Sequence, residues 1–316
     1  MNERGSLCVY GPVPSRRLGR SLGIDLVPLK TCTYDCVYCQ LGGTTNKTIE
    51  RKEYVTVEGV LGELERKLSV GPAPDYISIA GSGEPTLNAR IGDFIGTIKN
   101  LTRIPVAVLT NGSLLWMPEV QEALMAADLV LPSLDAGDEQ LFRYVNRPYK
   151  DISFECMVEG TAEFTKRFPG EVWLEVFLLK GVTGMPSEVE KIAALVKHIG
   201  PARVQLNTVS RPPAEAFADA VSQEKMEQLR RLLPGTVELI SENVPAELST
   251  PSVPGATDAD ILALLSRRPC TAKDIAAGLG LHIHEVMKRV PALLAAGIVA
   301  HMRQNGRTFY FAKRIY

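Results

Sequence analysis

Cys32-Thr-Tyr-Asp-Cys36-Val-Tyr-Cys39 places three of the six cysteines of this 316-residue chain within eight positions. The triplet follows a β-rich run over residues 22–27 and a short loop that ends at Lys30. The spacing C-x3-C-x2-C lets one loop wrap an iron–sulfur cubane and present three thiolates to three irons. Such a tight group of cysteines indicates metal ligation rather than disulfide bonding.

The sequence near the triplet contains no obvious fourth ligand. The next cysteine along the chain is Cys156, and the next histidine is His198. One iron of a [4Fe–4S] cluster would then keep an open position, which S-adenosylmethionine (SAM) can fill with its amino nitrogen and carboxylate oxygen. An electron from the cluster would break the C5′–S bond of SAM. The alternative is a zinc site or a ferredoxin-like electron carrier completed by the remote Cys156 or Cys270.

Strand-like and helix-like patterns alternate over the first 250 residues. The β-rich runs cover residues 22–27, 76–80, 106–110, 129–134, 172–178 and 204–209. The helical patterns between them cover residues 58–68, 91–101, 120–126, 154–168, 187–199 and 222–233. This alternation predicts βαβ units around a parallel sheet. Periodicity alone leaves open a partial α/β barrel, a closed barrel and a doubly wound sheet.

A glycine-rich motif, Gly81-Ser82-Gly83-Glu84-Pro85, follows the second β-rich run. Together with the cysteine triplet it resembles the radical SAM superfamily, over roughly residues 8–250. The resemblance implies an α/β fold, a partial (βα)6 barrel of TIM-like form, with SAM lying across the carboxyl ends of the strands. It also implies one [4Fe–4S] cluster on Cys32, Cys36 and Cys39, a low-potential electron donor of flavodoxin or ferredoxin type, and reductive cleavage of SAM to a 5′-deoxyadenosyl radical that abstracts hydrogen.

The same resemblance implies which side chains bind SAM. The glycine-rich motif would hold the amino group, since glycine lets the backbone approach closely and a carboxylate suits an ammonium group. Tyr38 would pack near the adenine. Five strand-end residues would complete the site: Ser133, Asp135, Asn111, Glu175 and Asn207. Of these, Ser133 and Asp135 would bind the ribose hydroxyls. The alternative for each strand-end residue is an ordinary cap or turn role.

A narrower resemblance concerns the substrate. Residues 10–36 and the tripeptide Asn146-Arg147-Pro148 are similar to the group related to wyosine-type tRNA base synthases, which implies tRNA modification. Those enzymes carry additional upstream cysteines for a second cluster, whereas this chain has only Cys8 there, so we expect a single cluster.

Basic residues precede the cluster loop at Arg16, Arg17, Arg20 and Lys30. They could bind an anionic substrate such as a phosphate, or form a solvated face with salt bridges to carboxylates such as Asp25. Lys30 is the candidate catalytic residue, because a lysine beside the cluster could bind a carboxylate or form a Schiff base.

The terminal part of the chain has its own pattern. We predict a radical SAM core over residues 1–250, a Pro- and Ser-containing linker over residues 251–256, and a winged helix-turn-helix over residues 257–316. From residue 257 onward there are nine Lys/Arg and four Asp/Glu, a net charge of +5, so the other 256 residues carry −6 of the total of −1. If this module binds nucleic acid, Lys288, Arg289, Arg303 and Arg307 would make the contacts. The alternatives are that it docks a protein or that it only packs on the barrel.

The composition excludes a membrane protein, because no apolar stretch approaches the length of a membrane span and the N-terminus is polar. We therefore expect a cytoplasmic enzyme whose substrate is RNA. The alternatives are a peptide- or protein-modifying radical SAM enzyme and a redox-sensing DNA-binding regulator; the motif at residues 81–85 argues against the regulator. Cys156 and Cys270 are expected in the core, and His282, His284 and His301 at the surface.

Overall fold

The computed structural model describes residues 8–69, 73–240 and 256–313. An eight-stranded sheet forms its centre. In spatial order the strands are β1 (Val9–Ser15), β2 (Gly19–Ile24), β5 (Tyr76–Ile79), β6 (Val106–Leu109), β7 (Leu129–Leu131), β8 (Glu171–Leu178), β9 (Arg203–Thr208) and β10 (Val237–Leu239). Strands β1 and β2 are antiparallel, and every other neighbouring pair is parallel. A short parallel pair, β3 (Thr31–Cys32) and β4 (Asn46–Lys47), lies apart from the sheet.

Helices connect the parallel strands. They are α1 (Val57–Leu68), α2 (Ile91–Leu101), α3 (Pro118–Leu124), α4 (Glu139–Val145), α5 (Phe154–Arg167), α6 (Pro186–Ile199) and α7 (Gln223–Arg230). The predicted α/β fold with a mostly parallel sheet is confirmed, and it is consistent with a partial TIM-like barrel. Strands β1 and β10 and helix α4 were not predicted, because each is short or lacks a clear hydrophobic period.

The central strands form because both of their faces are covered. Every residue of β7 is buried, as are three of four in β5 and β6, which is typical of parallel strands between helices. Helix α2 buries Ile91, Phe94, Ile95 and Ile98, the i, i+3, i+4, i+7 pattern of one helical face. The sheet and helices therefore hold the carboxyl ends of the strands in a fixed arrangement at one edge.

Residues 256–313, called the C-terminal module below, contain three helices and a hairpin in the order expected from the sequence. They are α8 (Asp258–Arg267), α9 (Ala272–Leu279), α10 (Ile283–Ala295), β11 (Val299–Gln304) and β12 (Arg307–Ala312). Capping boxes at Thr257/Asp260 and Thr271/Asp274 start the first two helices. Apart from Ala256, the predicted linker lies outside the described residues, and the division into domains stays a prediction.

The C-terminal module packs on the barrel. Val13 of β1 joins its hydrophobic core, and helix α9 lies against β1. The Arg267 guanidinium forms a buried ion pair with Asp25, at 2.9 Å from Nε to Oδ2, and covers the Tyr10 ring at 4.4 Å. This packing is compatible with each of the roles considered for the module, so nucleic-acid binding and protein docking stay predictions.

One prediction about the remaining cysteines was wrong. Cys156 is exposed, because the register of α5 turns Met157, Thr161 and Phe164 to the core instead. Cys270 is fully buried, as expected, and the three terminal histidines are exposed. Among the described residues, no helix is both long and apolar enough to cross a bilayer.

Candidate active site

The cysteine loop is anchored to the C-terminal end of α4. The Asp35 amide donates to the Asn146 carbonyl at 3.0 Å, and the Val37 amide donates to the Val145 carbonyl at 2.9 Å. The Cys39 amide closes a turn on the Cys36 carbonyl at 3.1 Å. These bonds fix the backbone around Cys36 and Cys39, and Cys32 stands at the end of the short strand β3 that leads into the loop.

Each of the three sulfurs accepts a hydrogen bond from a different nitrogen. Lys30 Nζ lies 3.3 Å from Cys39 Sγ, Asn111 Nδ2 lies 3.6 Å from Cys32 Sγ, and Asn146 Nδ2 lies 3.5 Å from Cys36 Sγ. Donors to cysteine sulfur stabilise the thiolate and tune the potential of a metal cluster. Lys30, the predicted catalytic residue, is buried, and its ammonium contacts Cys39, a predicted cluster ligand.

Burial makes charged thiols costly in this loop. It raises the pKa of Cys32 to about 12, with the nearby Glu84 charge as the next cause. Burial, followed by the charge of Asp135, raises the pKa of Cys36 well above its usual value. Bound cations would offset this cost, since metal ligation requires the thiolate. Within the described ranges, no three His, Cys, Asp or Glu side chains are placed to hold a single metal ion.

The two glycines of the motif at residues 81–85 permit close packing against the segment that precedes the cysteines. A Cβ atom on Gly83 would lie 1.9 Å from the Thr31 carbonyl oxygen, and one on Gly81 would lie 2.0 Å from Asp25 Oδ1. Gly81 also has a φ of 109°, which glycine favours. The Ser82 amide donates to Asp25 at 2.9 Å, and its carbonyl accepts from the Lys30 amide at 2.6 Å.

Glu84 is buried and joins two strand ends. Its Oε1 accepts from the amide and hydroxyl of Thr86 and from the Thr110 hydroxyl, at 2.6–3.0 Å. Its Oε2 accepts from the Asn111 amide at 2.8 Å. Burial raises the pKa of Glu84, and these hydrogen bonds oppose the rise. Pro85 begins the short 3-10 turn Pro85–Leu87 that Glu84 caps. Glu84 thereby fixes Asn111 beside Cys32.

A buried polar cluster lies at the ends of β7 and α4. Asp135 Oδ2 accepts from the Tyr38 hydroxyl and, at 2.7 Å, from Asn146 Nδ2. Asp135 Oδ1 and Asn146 Oδ1 are buried without a hydrogen-bond partner. Burial raises the pKa of Asp135 to about 7, while Tyr38, Asn146 and the Phe177 amide favour the charged form. The Tyr38 ring stacks on Phe177 with centroids 4.1 Å apart. The two unpaired oxygens can each still accept a hydrogen bond from a polar ligand.

A cavity of about 380 Å³ adjoins this cluster. Tyr38 and Cys39 line it from the cysteine loop, and Glu175 and Asn207 line it from β8 and β9. Glu175 Oε1 accepts from Arg17 and, at 2.8 Å, from Asn207 Nδ2. Leu264 and other residues of the C-terminal module also line the cavity. Ser133 pairs with Glu175 through a backbone bridge.

Comparison with protein-family models matches residues 26–196 to the radical SAM superfamily. The chain belongs to this superfamily. Members bind a [4Fe–4S] cluster and SAM, so this chain is a radical SAM enzyme. Three cysteine thiols with individual N–H donors, and a buried carboxylate oxygen without a partner, fit these two groups.

Several curated and solved proteins are similar to this radical SAM enzyme. "GTPase Obg" of Brachyspira hyodysenteriae is 40% identical over 310 residues, which cover 96% of this chain but 45% of that protein, so the chain spans less than half of its length. "UPF0026 protein MJ1312" of Methanocaldococcus jannaschii is 36% identical over 236 residues, 74% of this chain and 72% of that protein. A radical SAM methyltransferase from Sphaerobacter thermophilus shares the fold with a TM-score of 0.52 at 18% identity, covering 72% of this chain and 68% of its own.

The structure brings the predicted residues of this radical SAM enzyme to one sheet edge, but sequence reasoning missed two others. Asn146 donates to both Cys36 and Asp135; its signal was its place in the tripeptide at residues 146–148. Arg211, just beyond the end of β9, lines the cavity; its signal was its position after a predicted strand. Arg143 and Arg147, also basic and close to this loop, instead pair with Glu139 and Glu215.

Proposed function

We propose that this enzyme cleaves SAM reductively with a cluster held by Cys32, Cys36 and Cys39, and acts on a substrate in the 380 Å³ cavity. When bound, the cluster and SAM supply a 5′-deoxyadenosyl radical, which takes a hydrogen atom from the substrate. The observation that carries the proposal is the position of Cys39, which both lines the cavity and accepts a hydrogen bond from Lys30.

The chain's own residues would bind and orient the two groups. Lys30, Asn111 and Asn146 place N–H donors on the three sulfurs. Asp135 Oδ1 is free to accept a ribose hydroxyl. Glu84 Oε2 has one donor and can accept a second from the SAM amino group, beside the backbone of residues 81–85. The roles predicted for Tyr38, Ser133, Glu175 and Asn207 in SAM binding are part of the same proposal.

An anaerobic assay tests this proposal. The reconstituted chain is given SAM and dithionite, which replaces the expected flavodoxin- or ferredoxin-type donor, and 5′-deoxyadenosine is measured. We expect product from the wild type and from Cys156→Ala, whose thiol is exposed and remote, and none from Cys36→Ala. A reduced cluster that yields no 5′-deoxyadenosine would instead favour the redox-sensor alternative.

RNA stays a predicted substrate. It is supported by the resemblance at residues 10–36 and 146–148 and by the net charge of +5 from residue 257 onward. Tritium from a labelled tRNA pool should appear in 5′-deoxyadenosine if RNA is the substrate. Transfer from a peptide pool, with none from RNA, would support the peptide-modifying alternative.

A further inference from the structure

Five arginines line the cavity that adjoins Cys39. Arg16 and Arg17 come from the β1–β2 turn, Arg211 follows β9, and Arg267 and Arg268 stand at the end of α8. Two carboxylates, Glu175 and Asp274, share the same lining. Guanidinium groups are the usual ligands of phosphate and carboxylate, which they bind through paired N–H donors.

Three of the five arginines have a carboxylate partner. Arg17 pairs with Glu175, and Arg267 pairs with Asp25 at 2.9 Å. Arg211 lies 3.9 Å from Asp274, at the limit of an ion pair, and its Nε is buried without a hydrogen-bond partner.

The other two arginines carry the surplus charge. Within the described parts of the chain, the guanidinium groups of Arg16 and Arg268 form no ion pair and no hydrogen bond. The cavity therefore holds two positive charges more than its own carboxylates and Asp25 neutralise.

These arginines repel one another. Burial, followed by the charges of Arg211 and Arg17, lowers the pKa of Arg16 to about 10. Burial and the charges of Arg268 and Arg17 also lower the pKa of Arg211. Like charges held together in a buried cavity carry an electrostatic cost, which a bound anion would relieve.

We infer that the cavity binds a phosphate monoester through Arg16, Arg211 and Arg268, so that the C-terminal module completes the substrate site. A phosphate monoester carries about −1.5 to −2 charges near neutral pH, which matches the surplus of two; a carboxylate or an internal phosphodiester carries only one. This inference deepens the proposed function, since it names the substrate class for the same cavity. It assigns the module a part in substrate binding.

Calorimetric titration of the 316-residue protein, with its cluster reconstituted and without SAM, tests the inference without any turnover. The probes are inorganic phosphate, dimethyl phosphate and acetate. We expect inorganic phosphate to bind most tightly, and binding to weaken by about tenfold or more in Arg16→Met and in Arg268→Met, the equivalent of about 1.4 kcal/mol. Lys273→Met removes one positive charge from an exposed position of the same module and should leave binding unchanged.

Arg268→Lys guards against a folding defect, because it keeps the charge; it should retain part of the affinity. Equal affinity for acetate or dimethyl phosphate would overturn the assignment of a phosphate monoester. Phosphate binding that is absent, or equally strong in all variants, would overturn the site itself. Both results are independent of SAM cleavage. Phosphate binding can therefore fail while the proposed function stands, and SAM cleavage can fail while phosphate binding stands.

Discussion

At the scale of single residues, the site depends on N–H groups directed at sulfur and on one carboxylate with a free oxygen. Lys30, Asn111 and Asn146 come from three separate segments and each reaches a different cysteine. Asn146 also donates a hydrogen bond to Asp135, so the cysteine loop and the proposed ribose-binding carboxylate share one side chain. A change at any of these positions should therefore alter the cluster as well as substrate turnover.

Replacing Lys30 should change the reduction potential of the reconstituted cluster. The Lys30 ammonium beside Cys39 stabilises the reduced cluster, because reduction makes the cluster more negative. Lys30→Met should therefore lower the reduction potential by about 60 mV, which corresponds to a tenfold change in a one-electron equilibrium. Lys30→Arg keeps the charge and should stay near the wild-type value. Redox titration followed by electron paramagnetic resonance measures both. An unchanged potential in Lys30→Met would contradict the contact, and full turnover by Lys30→Arg would exclude a Schiff base.

Asp135 should make the stability of the SAM-free protein depend on pH. Its pKa is raised to about 7 in the folded state from an ordinary value of 3.8, so the folded state binds the proton more tightly than the unfolded state. This contribution is fully present below about pH 4 and is lost as pH rises through about 7, on the order of a few kcal/mol. In Asp135→Asn, denaturant unfolding should show a smaller loss of unfolding free energy over this pH range than in the wild type. Identical pH profiles would contradict this account.

At the scale of elements, the glycine-rich loop is fitted tightly to β3. The loop joins β5 to the 3-10 turn, and it touches the chain where the Thr31 carbonyl leads into Cys32. This contact explains why the residue between Ser82 and Glu84 has no side chain. It also means that the cysteine loop and the glycine-rich loop cannot move independently.

A methyl group at Gly83 should separate these two elements. In Gly83→Ala the new Cβ would meet the Thr31 oxygen at 1.9 Å and Val27 Cγ2 at 2.9 Å, so we expect a loss of about 1–3 kcal/mol and weaker cluster retention. Gly62→Ala on α1 is the matched control: its Cβ meets nothing within 4 Å, and it should raise stability by about 0.5–1 kcal/mol. Iron content and denaturant unfolding measure the two effects; equal behaviour of both variants would contradict the packing argument.

At the scale of the whole molecule, the C-terminal module is joined to the glycine-rich loop through Asp25. Asp25 Oδ2 accepts from Arg267 of α8, and Oδ1 accepts from the Ser82 amide, both at 2.9 Å. The carboxylate is thus buried between the module and the motif implied to hold SAM. The C-terminal module therefore has its own hydrophobic core and also lines the cavity.

Breaking this pair should be costly. Arg267→Met leaves the buried Asp25 carboxylate without its ion-pair partner, which should cost about 3–5 kcal/mol of unfolding free energy. Adding Asp25→Asn removes that charge, so the double variant should lose less than the sum of the single variants. Arg303→Met, at an exposed position on β11, should change stability by less than about 0.5 kcal/mol. Additive losses in the double variant would show that Asp25 and Arg267 do not interact.

Local patterns were predictable from the sequence, whereas contacts between distant segments were not. The cysteine triplet, the glycine-rich motif and the six βα units are local patterns, and each lies in the structure where its pattern predicts. Partners distant along the chain were not predictable: Asp25 and Arg267 are separated by 242 positions, and Arg17 and Glu175 by 158. Cys156 was misplaced because an apolar neighbour does not define the register of a helix. Arg268 lines the cavity because the C-terminal module packs on β1, a contact that no local pattern predicts.

The most direct measurement of the central claim is electron–nuclear double resonance on the reduced, reconstituted enzyme with SAM labelled by ¹⁵N at the amino group and ¹³C at the carboxylate. We expect both labels to couple to the cluster in the wild type, because Cys32, Cys36 and Cys39 would supply only three ligands to four irons. A reduced cluster whose spectrum contains neither coupling, and does not change on addition of SAM, would contradict the account.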